Sequence, residues 1–175
     1  MLTLNEVWFL QLMTSNPTQP ISLISAMSSS RVIGSGDGMP WDVPEEYQHF
    51  LNTTRGQTLI IGRKSFEIFG PTLTSKRCFV ITRSGRCFES AVAVASIDDA
   101  INQSRDHDER IFVAGGASVY SLALPLADEM QLSYIRGTFT GDTYFPEFDE
   151  SDWGIVRQED RGSYEFVHYK RTPSA

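Results

Sequence analysis

Short apolar runs recur along this chain and are separated by segments that mix apolar and polar residues. Each run is bounded by polar residues or glycine and is too short for a typical helix, which is the pattern of a buried strand. The pattern therefore predicts a sheet whose strands are mostly covered on both faces. The predicted strands lie at 21–27, 58–62, 77–82, 91–95, 111–114 and 132–135.

Helix signals fall between these runs. Pro44 suits a first helical turn, and Ser96 is a helix cap followed within the first turn by two aspartates. Gly70-Pro71 and Pro125 are helix stop signals. Helices are therefore predicted from residue 44, over 63–69, from 97 to about 104 and over 117–124.

The end of the chain has a different pattern. Segments 154–159 and 164–170 are rich in Val, Tyr and Phe and flank the turn residues 160–163, which predicts an antiparallel hairpin. Strands that alternate with helices imply a mostly parallel sheet covered on both faces. The predicted fold class is α/β, a three-layer α/β/α domain with a mostly parallel central sheet and an antiparallel C-terminal hairpin.

Length and charge limit the function classes. The 175 residues, 41% of them hydrophobic, suffice for one domain with a core. We expect an N-terminal extension of unknown role at 1–20 and a single domain at 21–172. The formal net charge of -7 argues against a nucleic acid or an acidic membrane as partner, so any bound phosphate needs a local basic site.

Cysteine usage and hydropathy add to this picture. Cys78 and Cys87 are too few for a disulfide framework, and neither has metal-ligand spacing. The apolar stretch 7–13 has no Lys or Arg before it, so it lacks the basic start of a secretory signal. No run approaches transmembrane length. We expect a cytoplasmic protein with no metal and no membrane partner.

The stretch from 34 to 50 holds the first candidate chemistry. Three glycines within five residues permit positive φ angles there, and Pro40 and Pro44 then stiffen the chain. On the predicted helix, Glu46, Phe50 and Thr53 share one face. An acid on an otherwise apolar or small face is a candidate functional group, although most such acids are solvated.

Residues 39–46, Met-Pro-Trp-Asp-Val-Pro-Glu-Glu, follow Arg-Val-Ile-Gly at 31–34 and the apolar run 21–27. This order closely resembles the substrate loop and first helix of dihydrofolate reductase, and the resemblance extends from Ile21 to about Arg171. It implies that family's fold and strand order, a monomer, and NADPH-dependent reduction of 7,8-dihydrofolate to 5,6,7,8-tetrahydrofolate.

The resemblance also implies catalytic and substrate-binding roles. Glu46 would anchor the pteridine ring and favour its protonation through water, Trp41 would help to fix that water, and Ser133 would bond to the carboxylate. Glu45 points away from Glu46 round the same helix, so we expect it to stay solvated. The substrate would be bound by Ala26, Met27, Glu46, Tyr47, Phe50, Phe69, Leu73 and Lys76.

Two strand ends resemble the family's contacts to the adenosine phosphates, with Arg63, Lys64 and Arg83 as the charges for a 2′-phosphate. The paired glycines at 115 and 116 match a family position with a cis peptide beside the nicotinamide. The implied cofactor-binding residues are Ala26, Ile33, Gly34, Met39, Gly62, Arg63, Lys64, Ser65, Thr82, Arg83, Gly115, Gly116, Ala117, Ser118, Val119 and Tyr120.

The chief departure lies at 71–77, Pro-Thr-Leu-Thr-Ser-Lys-Arg, where the family usually carries an arginine that grips the glutamate tail of the substrate. Lys76 takes that place and Arg77 is one beyond, facing the opposite side if the strand's period of two includes both. This departure supports one alternative, a reductase of the same fold that acts on another pterin or on a pyrimidine. A separate alternative is a catalytically silent pterin- or nucleotide-binding module.

Overall fold

The computed structural model describes residues 19–173, so residues 1–18 of the expected N-terminal extension lie outside the described part. Four α-helices occur within 19–173: α1 (Pro44–Thr54), α2 (Arg63–Phe69), α3 (Ile97–Ser104) and α4 (Ala117–Ala123). The strands of the same part are β1 (Ile21–Ser28), β2 (Val32–Gly34), β3 (Thr58–Gly62), β4 (Arg77–Ile81), β5 (Val92–Val94), β6 (Ile111–Val113), β7 (Glu129–Ile135), β8 (Thr143–Tyr144), β9 (Trp153–Asp160) and β10 (Tyr164–Arg171).

The main sheet has eight strands in the order β5-β4-β3-β6-β1-β7-β10-β9. The neighbours from β5 to β7 pair in parallel. The last two strands form a hairpin, and β10 pairs antiparallel with both β7 and β9. The predicted parallel sheet with an antiparallel C-terminal hairpin is confirmed.

The central strands are apolar runs whose successive side chains point to opposite faces of the sheet, so both faces are apolar. On one face, Leu23 and Val113 pack with Ala100 of α3 and Val119 of α4. On the other face, the cluster around Phe112 includes Phe50 of α1. Helices therefore cover both faces, which confirms the predicted three-layer fold.

Most predicted elements agree with the structure within one or two residues, and β7 is the main exception. It begins at Glu129, whereas the prediction began at residue 132. The prediction missed the first residues because they include the polar side chains of Glu129 and Gln131, which are buried. Glu129 is paired with Arg110 at 3.0 Å, so a charged residue is accommodated in a part of the strand that the apolar pattern did not predict.

A small second sheet, which the sequence analysis did not predict, joins β2 to β8. The backbone N–H of Asp142 donates to the carbonyl of Gly34 at 3.1 Å, and the Asp142 carboxylate accepts from the N–H of Gly36 at 3.1 Å. Of the three glycines between 34 and 38, Gly36 alone has a positive φ, 59°. The segment leading to Met39 is thus tied to the segment 141–144.

Candidate active site

A cavity of about 1190 Å³ opens at the carboxyl ends of the parallel strands. It includes Ala26 from β1, Gly62 at the end of β3, Thr82 after β4 and Gly115 after β6. Parallel strands point their carboxyl ends toward one edge of the sheet, and clefts form there where the chain order reverses. Residues distant in sequence therefore share one cavity.

Glu46 lies in the wall of this cavity on α1 and is only 5% exposed. Pro44 begins the helix, and the N–H of Glu46 donates to the carbonyl of Val43 at 3.1 Å, which fixes the side chain in the first turn. Burial raises the pKa of Glu46 to about 7, and the nearby Ser133 hydroxyl lowers it in part. Among the described residues no cation contributes to this shift, so the carboxyl group can hold or release a proton near neutral pH.

Two polar groups that the sequence associates with Glu46 lie outside the cavity lining. Ser133 is on β7 and is 3% exposed. Trp41 packs edge-on against Phe139, with ring centroids 5.3 Å apart. The Trp41 Nε1–H is buried and has no acceptor within residues 19–173, so it is a donor available to a further group.

Aromatic side chains form one end of the cavity. Tyr47 stacks on Phe50 with ring centroids 5.9 Å apart, and the Phe69 ring lies 6.1 Å from that of Tyr47. Ala26 lines the same cavity. Leu73 does not line the cavity. It packs, like Phe50, against the cluster around Phe112. An apolar wall of this kind can enclose a flat ring and exclude water.

Met27 is not brought to the cavity, which corrects the expectation that its side chain encloses the substrate. It is 1% exposed and belongs to the core cluster on the face of α3 and α4. The physical reason is the alternation along β1, since Ala26 and Met27 must point to opposite faces.

Lys76 and Arg77 both bind Glu109, outside the cavity lining. Lys76 forms an ion pair with the Glu109 carboxylate, and Arg77 Nη1 lies 2.6 Å from Glu109 Oε1. The hydrogen bond from Lys76, with further help from Arg77, lowers the pKa of Glu109 to about 2. The expectation that Lys76 and Arg77 face opposite sides is wrong. Lys76 precedes β4, so the alternation of side chains along the strand does not apply to it.

Glycines let two strand ends meet at the other end of the cavity. The N–H of Gly62 donates to the carbonyl of Gly115 at 2.6 Å, and the peptide bond between Gly115 and Gly116 is cis, as the resemblance implies. A Cβ on Gly116 would stand 3.2 Å from Ser65 Oγ, and one on Gly62 would stand 3.1 Å from a Val119 methyl group. Side-chain-free backbone therefore faces this part of the cavity.

Three cations line this end of the cavity, namely Arg63, Lys64 and Arg83. Arg63 Nη1 lies 3.0 Å from both carboxylate oxygens of Glu67 on the same helix. The hydroxyl groups of Ser65, Thr82 and Ser118 also line the cavity. Hydroxyls, open backbone and cations form a donor set suited to phosphate groups.

Most of the predicted site residues are brought together. The cavity includes all of the predicted cofactor-binding residues and five of the eight predicted substrate residues, Ala26, Glu46, Tyr47, Phe50 and Phe69. Sequence reasoning missed several lining residues near the ends of β1, β5 and β6. The strand order, had it been derivable, is the signal that would have found Ile24, Ser25, Ala95, Ser96, Asp98 and Ala114.

Residues 19–173 contain neither a metal-binding cluster nor a membrane-spanning helix. No three or more His, Cys, Asp and Glu side chains in 19–173 are grouped so as to hold a metal ion. No helix in that range has the length and apolar character needed to cross a membrane.

The chain is similar to known proteins over most of its length. A family model described as dihydrofolate reductase matches residues 20–172. A dihydrofolate reductase of Bacillus subtilis is 35% identical over 163 residues, which cover 89% of this chain and 96% of the relative. A type 3 dihydrofolate reductase of Salmonella typhimurium is 35% identical over 159 residues, covering 86% of this chain and 98% of that protein.

A solved structure agrees with these sequence relatives. The dihydrofolate reductase of Enterococcus faecalis, complexed with NADP(H) and RAB-propyl, superposes with a TM-score of 0.80 at 25% identity. The match covers 89% of this chain and 98% of that structure. The family model, the sequence relatives and the matching fold together show that this chain belongs to the dihydrofolate reductase family.

Proposed function

We propose that this protein reduces 7,8-dihydrofolate to 5,6,7,8-tetrahydrofolate with NADPH. Membership of the family supports the reaction, and the complex of the structural relative with NADP(H) supports the cofactor. The observation that carries the proposal is the buried Glu46 carboxyl group in the cavity wall, whose pKa burial raises to about 7. Such a group can act as a proton donor or acceptor at neutral pH.

Glu46 has two tasks in the proposed reaction. As a carboxylate it accepts two parallel N–H bonds from the aminopyrimidine-like edge of a pteridine and so fixes the ring. Its high pKa favours protonation of the ring nitrogen, which it reaches through water. The Trp41 Nε1–H, which has no acceptor within residues 19–173, is suited to hold that water, and the Ser133 hydroxyl steadies the carboxylate.

The aromatic end of the cavity encloses the substrate ring. Ala26, Tyr47, Phe50 and Phe69 provide apolar surface, which excludes water and strengthens each polar contact made inside. Leu73 supports this wall from behind through its packing with Phe50.

The residues of the opposite end fit NADPH, which supplies the hydride when bound. The backbone at Gly62, Gly115 and Gly116 carries no side chain, and a Cβ at these positions would crowd Val119, Tyr120 and Ser65, respectively. Hydroxyls and cations line the same region, so a pyrophosphate and a 2′-phosphate find donors there. The proposed cofactor residues further include Ile33, Gly34, Met39, Ala117, Val119 and Tyr120.

A second candidate is the reduction of a pterin without a glutamate tail. It is favoured by one observation, the pairing of both Lys76 and Arg77 with Glu109. A tail carboxylate must compete with Glu109 for either cation, so the tail adds little binding energy unless it displaces that pair.

Steady-state assays with NADPH test both candidates. The purified chain is given dihydrofolate or 6-methyl-7,8-dihydropterin, and the decay of NADPH absorbance is followed. We expect a higher kcat/KM for dihydrofolate. Equal values would favour the untailed substrate, and a failure to oxidise NADPH with either compound would contradict the proposed function.

A further inference from the structure

A carboxylate bridges two guanidinium groups at the cation-rich end of the cavity. Glu67 Oε1 lies 3.0 Å from Arg63 Nη1 and 2.8 Å from Arg86 Nη1. Arg63 is part of the proposed cofactor site, whereas Arg86 belongs to the loop after β4 and has no role in the function proposed so far. One oxygen atom therefore holds Arg86 beside the cavity.

The local chain geometry explains how Arg86 reaches this position. Ser84 still lines the cavity, and Gly85 has a φ of 63°, a left-handed conformation that turns the chain. Arg86 then points back to α2, where Arg63 and Glu67 are one turn apart. The three side chains are partly exposed, at 61% for Arg86 and 37% for the other two.

Exposed ion pairs are weak, so these bonds are easily exchanged for stronger ones. A phosphate monoester near neutral pH carries about 1.5 to 2 negative charges and three acceptor oxygens, against one charge on Glu67. Guanidinium groups bind such a group through two parallel bonds. A phosphate placed beside Arg63 therefore outcompetes Glu67 for both arginines.

We propose that Arg86 and Glu67 set the preference of this protein for a 2′-phosphorylated cofactor. Arg86 is an additional guanidinium for the 2′-phosphate, and Glu67 holds both arginines near the cavity while competing with the phosphate for them. The proposal rests on the proposed use of NADPH. Lys64 and Arg83 add positive charge to this region, and Asp98 is a carboxylate that lines the same cavity.

The test is calorimetric binding of 2′,5′-ADP and 5′-AMP to the full chain, which needs no turnover. Arg86→Met should weaken 2′,5′-ADP about fivefold or more, since a charge-assisted bond to phosphate is lost, and should leave 5′-AMP within about twofold. Glu67→Gln should tighten 2′,5′-ADP, because the competitor is neutralised. Arg86→Lys keeps the charge without the fork and should fall between wild type and Arg86→Met.

Arg136→Met is the matched control, because Arg136 forms a comparable exposed pair with Asp160 at 3.0 Å and does not line the cavity. The inference is overturned if Arg86→Met weakens 2′,5′-ADP no more than this control, or weakens both nucleotides equally. A wild type that prefers 2′,5′-ADP while no variant changes the preference overturns the inference alone. A wild type with no preference overturns the proposed cofactor as well.

Discussion

The Glu46 carboxyl group is an isolated acid in an apolar setting. It is 5% exposed, and among the described residues it has the Ser133 hydroxyl and no cation to favour its charged form. Water would stabilise the carboxylate far better than this site does, so burial raises its pKa to about 7. The same isolation that weakens the acid makes it useful for proton transfer at neutral pH.

Glu46→Gln should fold and lose most activity. The amide cannot present two acceptors to the ring edge and cannot supply a proton, and general acid–base catalysis is typically worth roughly 10²- to 10⁴-fold. Wild-type kcat/KM should fall as pH rises through about 7, where Glu46 deprotonates, and the variant should lack that titration. Steady-state rates between pH 5 and 9 measure both effects.

Glu45→Gln is the control for this substitution, because Glu45 is the adjacent, exposed acid of the same helical turn. Its hydrogen bond with Ser163 lowers the pKa of Glu45, so it stays ionised throughout this range. The control should keep the wild-type rate and pH profile. Near-normal turnover of Glu46→Gln at pH 7 would remove Glu46 from the mechanism.

Lys76 tests recognition of the substrate tail. An ammonium gives less geometric control over a carboxylate than a guanidinium does, and here it is also paired with Glu109. Lys76→Arg should lower the KM for dihydrofolate with little change in kcat, and the KM for dihydropterin should not change. If Arg77→Ala instead raises the dihydrofolate KM, Arg77 holds the tail. No effect of either change, with dihydropterin as good a substrate, would show that the tail is not recognised.

Side-chain roles and side-chain partners differ in how far the sequence predicts them. The position of Glu46 could be recognised from its flanking motif, because the motif is continuous in sequence. The pairing of Arg77 with Glu109 joins residues 32 positions apart, and no local pattern reports it. The burial that shifts the pKa of Glu46 is likewise set by elements from several parts of the chain.

The β2–β8 sheet ties down the segment that leads to Met39. Gly141 makes the close approach possible, since a Cβ there would stand 2.2 Å from the carbonyl oxygen of Gly34 and 2.5 Å from a Val32 methyl group. Backbone cannot yield as a flexible side chain can. A side chain at this position must therefore push β2 and the residues after Asp142 apart.

Gly141→Ala should destabilise the protein by about 1–3 kcal/mol, the usual cost of overpacking. Amide hydrogen exchange should accelerate in residues 32–36 and 141–144, where the two strands separate. Gly154→Ala is the control, because a Cβ there meets nothing closer than 3.9 Å. Unchanged exchange in both segments of Gly141→Ala would mean that the contact is not needed to hold the loop.

Elements with a strong apolar pattern were predicted well, and those without one were not. The strands β3, β4 and β6 follow from their apolar runs, as the two-faced burial of a parallel sheet requires. The pair β2 and β8 has three and two residues and is separated by over a hundred positions, so its stability comes from a contact that the sequence does not display.

The strand order of the main sheet creates a cavity with two chemically different ends. The aromatic end is formed by α1 and by Phe69 at the end of α2. The cation-rich end is formed by the first residues of α2 and by the loop after β4. In the sheet, β6 lies between β3 and β1, although it follows both of them by many residues in the sequence. Periodicity predicts the layers, but this insertion depends on tertiary packing and entered the sequence analysis only through the family resemblance.

The buried Glu46 should lower the free energy of unfolding at and above neutral pH, where its carboxyl group must ionise inside the folded protein. In the unfolded chain the pKa of Glu46 is near 4.5, and in the folded protein it is about 7, so folding binds a proton between these values. Stability is therefore fully present below about pH 4.5 and falls as pH rises to about 7. A shift of this size corresponds to roughly 3 kcal/mol, a sizeable part of the stability of a typical domain.

Glu46→Gln should remove this penalty, since a neutral amide does not titrate. Thermal unfolding at pH 8 should give a higher Tm for the variant than for wild type, and the difference should shrink as pH falls toward 4.5, where both side chains are neutral. Glu45→Gln should show no such gain at pH 8, because Glu45 is exposed. A Tm difference between Glu46→Gln and wild type that is the same at every pH would mean that the folded-state pKa of Glu46 is not raised, and the acid could then not serve as proposed.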